Sequence, residues 1–219
     1  MTDSGGDGAA IALWLREWGE AWYGIAEIGG RLAATSTGGT REEAARILAS
    51  CLPRGARREE GEGASAYADR TANMLAAIEA GDESAKRFEL APEAFSGLAA
   101  TVYRLAAAIP LGYACSYGRI AVAAGVVARE VGRLMMNNPL YPIVPCHRVV
   151  GSDYSLVGYR GATCGPDLED KLARLCAEAR GYGEELDLPD ARGLVVFPVE
   201  RVLGKAARDR TDAGQLPLF

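Results

Sequence analysis

Residues 117–148, YGRIAVAAGVVAREVGRLMMNNPLYPIVPCHR, decide how this chain folds. The first part predicts two short helices broken at Gly125. Ala121, Gly125 and Val131 fall at the fifth, ninth and fifteenth places of a helix-turn-helix: a small residue at the crossing, a turn glycine, and an apolar anchor on the second helix. The second helix must stop before Pro139, because a residue preceding proline avoids the α conformation. On that helix the residues least needed for a core are Arg129, Glu130 and Arg133, and the two arginines can reach phosphates or bases. Pro139, Pro142 and Pro145 then predict an extended path, so Cys146 and His147 are expected on strand-like or loop backbone.

Outward from this segment, Pro92 is expected to open a helix carrying Phe95, Leu98, Val102 and Leu105 at helical spacing, ended by Ile109-Pro110-Leu111-Gly112. Residues 166–180 predict a further helix with Leu168, Leu172, Leu175 and Ala179 inward and Glu178 at the edge of that core. Before residue 90 the chain reads as a small α+β unit. Residues 1–10 look like a tail, a hairpin turns at Gly29-Gly30 within 22–38, a helix covers 42–49, a charged loop covers 53–64, and a helix covers 66–80. The expected organisation is an N-terminal domain over 1–90, a second domain over 91–180, and a C-terminal extension over 181–219. That extension holds an apolar LVVF run and a short helix opening near Pro198.

Composition bounds the function. The chain has 219 residues, an apolar fraction of 49%, 24% charged residues and a net charge of −5. No apolar run approaches the ~20 residues of a membrane helix, and MTDSGGDG lacks the basic-then-apolar pattern of a signal peptide, so a cytoplasmic protein is expected. Net charge argues against a polyanionic partner. Position argues for one: residues 101–150 hold Arg104, Arg119, Arg129, Arg133 and Arg148 against Glu130 alone, a local +4 where nucleic acid would dock. The 5 cysteines lack any C-x-x-C pair and there is 1 histidine, so no metal site is expected. A disulfide among the cysteines stays open. The sole histidine adjoins Cys146, and a thiolate is the nucleophile such a protein can most readily poise. Neighbours on an extended chain point to opposite sides, so a relay through water is expected, with the imidazole oriented by a carboxylate; Glu178 is one candidate among several.

Pro145-Cys146-His147-Arg148-Val149 resembles the signature of the O6-alkylguanine-DNA alkyltransferases. Ile109-Pro110-Leu111-Gly112, Ser116-Tyr117, Ala128-Arg129, Val131-Gly132, Asn138-Pro139 and Val157-Gly158-Tyr159 follow in that family's order and spacing over residues 92–180. The resemblance implies an α+β fold: a small ribonuclease-H-like domain, then a mostly helical domain with a winged-helix-like helix-turn-helix. It implies a single-turnover methyltransferase without cofactor, acting on double-stranded DNA that carries O6-alkylguanine. Cys146 would accept the alkyl group, His147 with Glu178 would draw off its proton through water, Tyr117 would donate a proton or hydrogen bond as the guanine leaves, and Asn138 would help shape the turn. Arg129 would fill the space of the extruded base, with Ser116, Arg119, Arg133 and Arg148 also on the DNA side. Pro145, Val157, Gly158, Tyr159 and Arg160 would form the base pocket. Three features depart from the family: Glu130 and Leu134 replace small residues, ATCGPDLED (162–170) is inserted ahead of Lys171, and the C-terminal extension has no counterpart. Two rivals remain: a non-catalytic lesion sensor or DNA-binding regulator, and a cysteine hydrolase. Gln215-Leu216-Pro217-Leu218-Phe219 resembles the short peptides that bind bacterial sliding clamps.

Overall fold

A computed structural model of the chain describes residues 10–53 and 55–212. Contacts divide the chain into two units: residues up to Ser96 together with Pro139–Ile143, and Gly97–Asn138 together with the residues from Val144 onward. Among the described residues, no helix is long and apolar enough to cross a membrane.

The first unit is a sheet backed by helices. Strands β1 (Ile11–Trp18), β2 (Ala21–Ile28) and β3 (Arg31–Gly38) form an antiparallel meander. The β2–β3 turn is Gly29-Gly30, both with positive φ (58° and 75°), as the strand twist of a two-residue hairpin demands. Helix α1 (Arg41–Cys51) starts where Thr40 accepts from the Glu43 amide at 3.1 Å and the Glu43 carboxylate accepts from Gly39 N at 2.9 Å, so the first turn is capped from both directions. The charged 53–64 stretch is not wholly a loop. It contains β4 (Arg58–Glu60), whose three side chains are all exposed and which is ordered by parallel backbone pairing to β1. Gly61 follows it because a Cβ there would lie 2.4 Å from the Trp14 indole. Helix α2 (Ala66–Glu79) is capped by Ser65, and the sheet order is β3-β2-β1-β4. Ile11, Ala26, Ile28, Ala34, Leu48 and Leu52 close the core beneath it.

The second unit opens with α3 (Gly97–Ala107), five residues later than Pro92. Residues 92–95 form an isolated turn closed by Ala94 N to Ala91 O, Leu98 is 43% exposed, and Val102 and Leu105 are buried. Strand β5 (Tyr113–Ser116) leads into α4 (Tyr117–Ala124), then Gly125 in the left-handed conformation (φ 72°), then α5 (Ala128–Met136). Ala121 and Val131 are buried between these helices, as the helix-turn-helix spacing requires. Strand β6 (Val149–Val150) precedes α6 (Pro166–Ala177). The C-terminal residues supply β7 (Leu186–Leu188), β8 (Leu194–Pro198) and the 14-residue α7 (Val199–Asp212). These are structural members of the unit: the sheet order is β6-β5-β8-β7, and Phe197, Val199 and Val202 pack with Ala114, Val150 and Leu175.

Candidate active site

Cys146, His147 and Arg148 form one turn of 3₁₀ helix, which replaces the extended backbone expected from the three prolines. Pro145 lacks a donor but keeps its carbonyl, and Arg148 N donates to it at 2.8 Å, closing the turn. All three side chains are buried, at 8%, 5% and 2% exposure.

Behind the turn lies a polar cluster organised by Glu178, the residue that ends α6. Its carboxylate takes His147 Nε2 at 2.7 Å and Arg148 through Nε (2.8 Å) and Nη2 (2.9 Å), while Arg148 Nη1 donates to Ile109 O at 2.7 Å. Burial alone would raise the Glu178 carboxyl, but the hydrogen bonds from His147 and Arg148 outweigh it and hold the group down to about 2. Burial keeps His147 below its ordinary value despite Glu178, so the imidazole is neutral. An anionic carboxylate can only accept, so Nε2 carries the ring proton and Nδ1 is left as a lone-pair acceptor. Nδ1 is buried and has no protein partner among the described residues. Of the carboxylates open to His147, Glu178 is therefore the one engaged.

Close enough to Cys146 to feel its charge is a group that sequence reasoning missed. Lys171 of α6 is 0% exposed and donates to Val149 O (2.7 Å), Leu156 O (2.7 Å) and Gly158 O (3.1 Å). Burial pulls its ammonium down to about 7, whereas a Cys146 thiolate nearby favours the charged form. Three carbonyl acceptors match the three donors of an ammonium, so the charged form is the one this geometry fits. A signal was present: Lys171 lies on the same apolar stripe as Leu168, Leu172 and Leu175. Tyr117, the first residue of α4, has its hydroxyl 3.5 Å from Gly158 O, and burial followed by the Cys146 charge pushes it up to about 12. It therefore remains a proton donor at neutral pH. Asn138 Nδ2 donates to Val144 O at 2.8 Å and ties the approach to the turn.

These groups border a pocket of ≈ 430 Å³ in the second unit, lined by Cys146, Tyr117, Arg129, Val157, Gly158, Tyr159 and Arg160. Met135, Met136, Ala128 and Gly132 of α5 complete the apolar wall, and sequence reasoning did not name them for it. Pro145 is buried ahead of the 3₁₀ turn and does not line the pocket. Val157 is held at φ 57°, a left-handed conformation costly for a β-branched residue, at the pocket wall. From the 162–170 segment, Thr163 reaches the lining while Cys164 is exposed; all five cysteines are free.

The residues expected on a DNA surface separate. Arg129 is exposed on the pocket lining and has no hydrogen-bonding or ionic partner among the described residues. Arg133 is exposed but engaged by Glu130, with Nε to Oε2 at 3.0 Å. The other three are corrected. Ser116 is 4% exposed and its hydroxyl caps α4 by accepting from Arg119 N. Arg119 is held by Val195 O (3.2 Å), Glu185 and the Phe197 ring. Arg148 is the buried partner of Glu178. Leu134, 6% exposed, faces the core and not a partner.

Residues 98–180 match the family described as "6-O-methylguanine DNA methyltransferase, DNA binding domain". A protein of Pyrobaculum aerophilum named methylated-DNA--protein-cysteine methyltransferase is 50% identical over 64 residues, covering 29% of this chain and 41% of that relative. The chain spans about half the length of the curated relatives it matches, from 41% to 65% in the first three. Among solved structures, Mycobacterium tuberculosis OGT in complex with DNA superposes with a TM-score of 0.53 at 25% identity, over 78% of this chain and 96% of that one. The O6-methylguanine-DNA methyltransferase of Pyrococcus kodakaraensis gives 0.51 at 25%, over 77% and 98%. Residues 98–180, which hold the Cys146 turn and Glu178, are thus similar to the DNA-binding domain of the 6-O-methylguanine DNA methyltransferases.

Proposed function

We propose that this chain repairs DNA by moving an alkyl group from O6 of guanine in a duplex to the Cys146 sulfur, once per molecule. The observation that carries the reading is His147: Nε2 is held by an anionic Glu178, and Nδ1 is buried with its lone pair free, one residue from a cysteine that lines a pocket. In this mechanism a water passes the Cys146 proton to Nδ1. The sulfur attacks the alkyl carbon in line with O6, so a carbon–sulfur bond forms as the carbon–oxygen bond breaks. The oxygen's electron pair takes the Tyr117 proton, and water returns a proton from the imidazolium to the phenolate. Lys171 places a positive charge beside the thiolate and fixes the backbone of the 156–158 wall through its carbonyl bonds. No group here can cleave a thioether, so the protein is consumed.

The reacting atom is out of reach in a stacked base, so the nucleotide must be extruded, with Arg129 filling the gap and Arg133 near the backbone. Gly158, Tyr159 and Val157 would hold the base. The parallel β4 beside the β1–β3 meander supports a ribonuclease-H-like first unit, and α4–α5 with the β7–β8 hairpin supports a winged helix-turn-helix. The absence of a spanning helix among the described residues is compatible with a cytoplasmic location. The clamp-like segment 215–219 lies outside the described residues. We keep it as a proposed partner site, tested by titrating a peptide of residues 210–219 against a purified clamp.

The experiment that tests the reaction counts product: guanine released from an excess of O6-methylguanine duplex should plateau at one equivalent per chain. Release continuing past one equivalent would favour the hydrolase, and binding with no release would favour the sensor, which the retained Cys146 already disfavours.

A further inference from the structure

An extruded nucleotide brings its flanking phosphates to the mouth of whichever pocket takes its base, and that mouth carries a second cation besides Arg129. Arg160 sits at the tip of a two-residue turn closed by reciprocal backbone bonds, Tyr159 N to Ala162 O at 2.9 Å and Ala162 N to Tyr159 O at 2.8 Å. Arg160 and Gly161 both have positive φ, 50° and 86°, so the tip is a tight hairpin that projects a fixed residue. The Arg160 guanidinium lies over the Tyr159 ring at 5.0 Å, and its side chain is 50% exposed.

What holds it is weak by construction. Asp170 and Asp167 stand 3.6 and 3.9 Å away, beyond hydrogen-bonding distance, in a solvent-exposed pair of the kind that contributes little. Both acids are provided for when Arg160 leaves. Asp170 already binds Arg174 Nε at 3.0 Å, and Asp167 lies in the first turn of α6, where the helix dipole favours a negative charge. A phosphate offers two oxygens to the planar fork and matches it better than either distant carboxylate. Both acids belong to the segment 162–170 that leads into Lys171.

We propose that Arg160 is a phosphate clamp for the extruded nucleotide, parked on Asp167 and Asp170 until DNA displaces them. This rests on the DNA-repair reading above. The test measures equilibrium binding of a duplex with one central O6-methylguanine, across salt concentrations, in a Cys146→Ala background that cannot react. Arg160→Ala should weaken binding about tenfold and reduce the slope of log K against log salt by ~0.9, the loss of one phosphate contact. Arg160→Lys should keep the slope, and Asp167→Asn with Asp170→Asn should tighten binding. With Cys146 restored, Arg160→Ala should slow transfer from the duplex at concentrations below saturation, and Arg160→Lys should recover it. An unchanged salt slope, weaker binding by the double Asn variant, or duplex transfer that Arg160→Ala leaves unaffected would each overturn the clamp. Absence of transfer by the unmodified protein would instead overturn the repair reading.

Discussion

Arg129 on α5 and Arg148 on the 3₁₀ turn belong to the same +4 stretch of sequence and have opposite fates. Arg129 is exposed without an ionic partner among the described residues, whereas Arg148 is 2% exposed with its guanidinium shared between Glu178 and Ile109 O. The difference teaches that a window's charge counts only the partners inside the window. Glu178 and Glu185, which bind Arg148 and Arg119, lie outside residues 101–150, and Glu130 binds Arg133 within it. The exposed, unpaired part of the basic face is therefore smaller than the sum: Arg129 lines the Cys146 pocket, and Arg104 is exposed away from it.

The sharpest way to break this comparison is to truncate each arginine. Arg148→Ala leaves a buried carboxylate without its main partner and should cost about 3–5 kcal/mol in chemical denaturation. Arg129→Ala should change stability by less than about 0.5 kcal/mol. It should slow transfer from duplex more than from free O6-benzylguanine, because the small molecule needs no extrusion. Reversed sensitivities would show that the two roles are misassigned.

A second consequence follows from Glu178. Its folded value of about 2 lies below the ordinary 4.5, so it contributes stability that is complete above pH 4.5 and is lost as pH falls towards 2. The full span is on the order of 3 kcal/mol. His147, also lowered, acts in the same direction below its ordinary 6.5. The stability gap between the unmodified protein and Glu178→Gln should therefore narrow between pH 4.5 and 2 in urea titrations. A constant gap would mean that the cluster is not held by the Glu178 charge.

The smallest expected effect concerns α5. Glu130→Ala releases Arg133 and should steepen the salt dependence of duplex binding by ~0.9 with a modest gain in affinity. An unchanged slope would show that Arg133 does not reach phosphate.

Legibility in the sequence tracks how local each cause is. The Gly29-Gly30 hairpin and the Gly125 break are set by residues that adopt positive φ without a Cβ penalty, and both were readable. Cys146, His147 and Glu178 were readable because a motif and a resemblance pointed to them. β4 was not, since its side chains are all exposed and only β1 orders it. The closing of the Cys146 turn by Arg148 N was hidden behind prolines that suggest extension. Lys171 was hidden because a lysine reads as solvated until three carbonyls are seen to converge on it.

The central claim is that Cys146 is the terminal acceptor, and intact mass after incubation with a duplex carrying O6-methylguanine tests it most directly. The account predicts a gain of one methyl, carried after digestion by the peptide containing Cys146 and absent in Cys146→Ala. A methyl found on another residue, or an unchanged mass while guanine is released, would contradict it.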